Sequence, residues 1–129
     1  MTFRTTSIIT AIVLFLLGAS YLLIGDLVIG RWQIQISDAV LLLGRRIGAV
    51  YLGLSVMFLL GRSAPMSVAR TAVCAGTASV TSLLVLLGIY ELVSGHVGLG
   101  ILASIAVETL LAVAYTRLFI IDRKQSAVS

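Results

Sequence analysis

The sequence predicts an all-α membrane protein, a bundle of four transmembrane helices forming one domain over residues 1–129. Three observations carry this. Hydrophobic residues make up 60% of the chain and charged residues 11%, against about a half and about a quarter in a soluble domain; mean hydropathy is +1.16. Too few charges remain to face water around one small core. Four apolar stretches have the length, about 20 residues, that crosses a bilayer. The breaks between them hold turn-forming residues: "GRWQIQISD", "GRSAPMS" with the only proline, Pro65, and "SGHVG".

The first span is expected over residues 7–29. Arg4, the apolar stretch from Ile8 to Leu17 and the small residues Gly18 to Ser20 also fit a removable signal peptide. The apolar run continues through "YLLIGDLVIG", longer than a signal core needs, which favours a retained helix. The second span, residues 39–61, contains the adjacent Arg45 and Arg46. The third covers residues 68–93 and the fourth residues 97–121, joined so closely that they must form a tight antiparallel hairpin. The segment "WQIQI" alternates like a short strand but has no evident strand partner.

Lys and Arg set the orientation. Arg4 precedes span one, Arg62 and Arg70 flank the second break, and Arg117, Arg123 and Lys124 close the chain. The other side has Arg31 and His96. Both termini are therefore expected in the cytoplasm, with Trp32 as an aromatic anchor on the outer side.

An internal echo adds a second level. "GDLVIG" (residues 25–30) and "YELVSG" (90–95) share an acidic residue, Leu, Val and Gly, and the spans after them end in Arg62 and Arg117. Two repeated helical hairpins related along the membrane normal explain this, and so does chance similarity between apolar stretches. The echo puts Asp26 and Glu91 at one depth, near the outer ends of spans one and three, close to Arg45 and Arg46. Glu108 sits about 15 Å into span four, at 1.5 Å per residue, near the middle of the hydrocarbon layer.

An isolated charge at that depth costs about 3 kcal/mol, so opposite charges in one bundle should converge. Arg46 paired with Glu108, with Glu91 or Asp26 nearby, is the expected constellation. Arg45 is expected to snorkel outward or to reach Asp26 or Asp38. The competing reading puts Arg45 and Arg46 at the interface, where they simply begin span two. Tyr51 and Tyr90, with Tyr21, can donate into an outward-opening polar pocket or serve as interface anchors. The expected assignments are Glu108, Glu91 and Asp26 as acid/base groups, and Arg46, Arg45, Tyr51 and Tyr90 as ligand-binding groups. His96 reads as a solvated loop residue and Cys74, among Ala and Gly, as a small packing residue.

Gly44 and Gly48 have GxxxG spacing, and Ala72, Gly76 and Ser79 give span three a small-residue face. Such faces let helices approach closely, here within the chain or in a homo-oligomer. One Cys and one His exclude an internal disulfide and a Cys/His metal cluster. No phosphate loop, nucleophile elbow, HExxH or CxxC is present, so no cofactor and no metal are expected. The net charge of +4 is explained by membrane topology rather than by nucleic acid.

The layout of four short spans with a longer first outer loop, "GRRIGAVYLGLSVMFLLGR" over span two and "IAVETLLAVAYTRL" over span four resembles the small bacterial DoxX-like membrane proteins and the uncharacterised families near them. The resemblance covers most of the chain and rests on layout and on Arg-Gly and Glu patterns. It implies a multi-pass protein of the bacterial inner membrane, Arg46 and Glu108 as a shared intramembrane feature, and an association with membrane redox complexes.

The sequence thus leads to a pocket that binds a small lipid-soluble molecule. A carboxyl group in hydrocarbon favours its neutral form, which suits proton transfer, so an enzyme built on this site would be an isomerase or cyclase. A small oligomeric proton- or ion-coupled transporter and a structural subunit of a larger complex are the alternatives.

Overall fold

The computed structural model describes residues 2–126. Every element is helical: α1 (Phe3–Leu23), α2 (Gly25–Gly30), α3 (Asp38–Gly61), α4 (Val68–Val93) and, after a 3-10 turn at Leu99–Ile101, α5 (Leu102–Ser126). Four segments are long and apolar enough to cross a membrane: Phe3–Leu23, Asp38–Gly61, Val68–Val93 and Leu99–Gln125. By length and composition the chain is a multi-pass membrane protein.

Hydroxyl caps start three of these helices. The side-chain oxygens of Thr2, Ser37 and Ser67 accept the backbone N–H of Thr5, Val40 and Arg70 at 3.3, 3.3 and 3.2 Å, satisfying donors that have no partner within the helix. The expected first span, residues 7–29, is instead two helices. Ile24 leaves helical geometry at φ −136°, ψ 38°, and α2 begins at Gly25. Hydropathy runs straight through this break, but 21 residues from Phe3 already rise about 31 Å, enough to cross. No strand occurs among the described residues; "WQIQI" forms a turn and irregular chain.

Two hairpins result. In the first, α1 and α3 meet at glycine: a Cβ on Gly18 would stand 2.8 Å from the Gly48 carbonyl oxygen, and one on Gly48 2.9 Å from that of Gly18. The GxxxG glycines therefore serve the chain's own hairpin. Ser55 seals the contact by donating to the Ala11 carbonyl at 2.8 Å. In the second hairpin, Gly88 of α4 receives Ile105 of α5, whose Cγ1 would lie 2.8 Å from an added Cβ.

The hairpins join differently at their two ends. At the end holding the chain termini, Phe3, Ala11, Phe58, Cys74, Tyr115 and Leu118 form a buried cluster. The Phe58 and Tyr115 rings lie 5.7 Å apart, and the buried Tyr115 hydroxyl donates to Thr10 Oγ1 at 2.9 Å. At the far end the connecting loops meet. The Gly98 N–H donates to the Trp32 carbonyl at 2.7 Å, and Gly100 lies so close to the Arg31 carbonyl that a Cβ would overlap it. Between these joints the hairpins leave a cleft.

Candidate functional site

Three- and four-residue steps along α5 aim its polar groups into the bundle. From Ile101 at the end of the 3-10 turn, Ser104, Glu108, Leu111, Tyr115 and Leu118 of α5 recur every three or four residues, the spacing of one helical face. Toward the far end this face lines a cavity of about 530 Å³ between the hairpins. Its walls are mostly aliphatic. Its polar groups come from Tyr21, Trp32, Tyr51, Ser104 and Glu108, and from Glu91 with His96 under the loops. A second, almost wholly apolar cavity of about 300 Å³ continues toward the terminal end. Tyr51, Leu84 and Glu108 line both and so form the partition between them. The Glu108 carboxyl is within electrostatic reach of the Tyr51 and Tyr21 phenols. The Tyr21 ring in turn packs edge-on against Tyr51 and Trp32, at 6.1 and 6.5 Å.

Glu91 and His96 owe their pairing to the end of α4. Gly95 takes φ +74°, its N–H reaching the Leu92 carbonyl while the His96 N–H reaches that of Glu91, at 3.2 and 3.0 Å. This is a Schellman closure, which needs a left-handed residue and therefore favours glycine. The same turn carries the imidazole back over the helix, and His96 Nδ1 lies 2.7 Å from Glu91 Oε2. His96 is thus a partner of Glu91 at the cavity wall rather than a loop residue surrounded by solvent alone.

Among the expected site residues, the structure brings Glu108, Glu91 and Tyr51 to one cavity. Arg45, Arg46, Asp26 and Tyr90 are exposed and line neither cavity. The expected pairing of Arg46 with Glu108 is absent: neither Arg45 nor Arg46 has an ion pair or side-chain hydrogen bond among the described residues. The cause is helical register. The cleft face of α3 runs through Val40, Leu43, Ile47 and Tyr51, and at 100° per residue Arg45 and Arg46 point about 150° and about 110° away from it. Gly44 and Gly48 fix that register by docking on α1. Their exposure agrees with the interfacial position weighed for the two arginines. The echo segments also differ in form, since Asp26 belongs to the separate helix α2 and Glu91 to the last turn of α4.

An ion pair at the terminal end was also not foreseen. Arg70 donates to Asp122 Oδ1 at 2.9 Å, with side-chain exposures of 16% and 1%, and to the Ala64 carbonyl at 3.3 Å. Its guanidinium also stacks 4.4 Å from the Phe3 ring centre, tying α4 and α5 to the start of α1. The signal was available: Asp122 lies seven residues beyond Tyr115 and fourteen beyond Glu108, on the face that enters the bundle.

Among the described residues no three His, Cys, Asp or Glu side chains come together to hold a metal ion. Cys74 is buried in the terminal-end cluster. Compared with protein-family models, curated proteins and solved structures, the chain matches none.

Proposed function

We propose that the protein binds a small lipid-soluble molecule in the cleft between its hairpins, with Glu108 and Tyr51 holding the polar group of the ligand. The observation that carries this reading is the partition: a carboxyl and a phenol stand on the wall shared by two cavities whose linings are mostly apolar. An elongated apolar molecule with one oxygen function fits such walls, since pockets of this kind take affinity from apolar area and orientation from a few polar groups. Glu91 with His96 provides a second proton-exchanging pair on the larger cavity. Glu108 giving a proton to one ligand atom while that pair takes one from another balances an isomerisation or cyclisation. No net atoms or electrons are exchanged.

The reading includes a setting. The excess of Arg and Lys at the terminal end supports cytoplasmic termini. The likeness of spans two and four to DoxX-like proteins supports kinship with them and residence in a bacterial inner membrane. The exposed Ala72, Gly76 and Ser79 of α4 support packing against a second copy.

The test is a native mass spectrum of the full chain released from a mild detergent. A small molecule retained at fixed stoichiometry is expected, with retention reduced about tenfold in Glu108→Gln through loss of the carboxyl O–H donor. Equal retention in Glu108→Gln and Tyr51→Phe would overturn the reading. The stacking of two cavities through Glu108 also favours a second reading, proton-coupled transport. Proton uptake by reconstituted vesicles that disappears in Glu108→Gln would select it.

A further inference from the structure

A third cavity, of about 470 Å³, lies at the terminal end of the bundle, away from the cleft. Three arginines from three helices line it: Arg4 in the first turn of α1, Arg62 just after α3 and Arg70 in the first turn of α4. Asp122 neutralises Arg70. Arg62 uses Nη1 on the Leu59 carbonyl at 2.6 Å, which leaves the other face of its guanidinium for a ligand. Arg4 has no ion pair or side-chain hydrogen bond among the described residues. The Thr2 and Ser63 hydroxyls complete the polar wall. The first turn of α1 contains no acidic residue, so its N–H groups add positive potential on the same side.

Topology accounts for arginines at this end of the bundle, but not for their gathering around one cavity. Two guanidinium groups with spare donors, the Ser63 hydroxyl and a helix start make an arrangement that suits a tetrahedral oxyanion. The opposite wall is apolar, from Leu118 and the exposed Ile121, and so continues onto the lipid-facing surface of α5. A free phosphate has no use for that wall, whereas the glycerol and acyl parts of a phospholipid do.

We infer that this cavity binds a phosphate-bearing anion, with Arg4 and Arg62 as its ligating residues. The site is separate from the cleft and does not depend on the function proposed for it. Basic pockets between membrane helices at the cytoplasmic face are a recurrent form of anionic-lipid recognition.

The experiment uses the full chain, delipidated in mild detergent and exposed in turn to phosphatidylglycerol, phosphatidylcholine and inorganic phosphate, with adducts counted by native mass spectrometry. Phosphatidylglycerol is expected to be retained in preference to phosphatidylcholine. The double variant Arg4→Gln/Arg62→Gln should weaken retention about fivefold for each arginine removed. The double variant Arg45→Gln/Arg46→Gln removes the same charge from the far end and should leave retention unchanged. Displacement of the lipid by millimolar inorganic phosphate supports a free anion as the source, and resistance to displacement supports the lipid. Equal retention of the two phospholipids by the wild-type chain overturns the proposal without reference to any variant. So does equal loss in the two double variants.

Discussion

The two ends of the bundle are joined by different physics. At the terminal end, side chains from all four long helices interlock: Phe58 against Tyr115, Tyr115 bonded to Thr10, Arg70 held between Asp122 and Phe3. At the far end the two hairpins stand apart between their helices and meet through the backbone of their loops, Gly98 on Trp32 and Gly100 on Arg31. Each end also pairs a carboxyl group with a basic side chain. Arg70–Asp122 is nearly sealed, whereas His96 and Glu91 have side-chain exposures of 62% and 32%. The contrast teaches where the molecule can be opened. A knitted end fixes the angle between the hairpins, and a loop-roofed end leaves room for a guest between them.

Arg70→Ala should break the comparison most severely. Removing one partner of a buried pair leaves a buried charge, at a cost of about 3–5 kcal/mol, read as a loss of stability in denaturant unfolding from detergent. A loss below about 1 kcal/mol would mean that the terminal end is wetter than the packing indicates. Gly100→Val tests the roof. Its side chain must displace the Arg31 backbone, and overpacking of this kind costs about 1–3 kcal/mol. Because the damage lies at the far end, retention of the cleft ligand should fall by more than the terminal-end lipid adduct does. If both fall together, the two ends are not independent.

Smaller changes sharpen the contrast. Tyr115→Phe deletes the hydrogen bond between the hairpins while keeping the ring against Phe58, and should cost about 1 kcal/mol in the same unfolding assay. His96→Gln removes the exposed pair. Its effect on stability should stay within about 0.5 kcal/mol, while retention of the ligand proposed for the cleft falls. A stability loss as large as that of Arg70→Ala would erase the distinction between the ends.

Much of this was legible from residues alone. Hydropathy gave four spans because a bilayer demands about 20 apolar residues in a row. The polar positions Glu108, Glu91 and Tyr51 stood out against their apolar neighbours. The Glu91–His96 pair was within reach too, since a glycine one residue before His96, at the end of an apolar helix, announces a left-handed closure.

What the sequence by itself determined was the class, the number of spans and the asymmetry of charge. What only the tertiary structure decided was direction around each helix. In water an apolar stripe identifies the buried face. In lipid the same aliphatic residues suit both the bilayer and the core, so the stripe loses its contrast and the facing of Arg45 and Arg46 has to come from elsewhere. It came from Gly18 meeting Gly48. That contact set the register of α3, turned Tyr51 into the cleft and both arginines out of it, and left Glu108 facing phenols instead of a guanidinium.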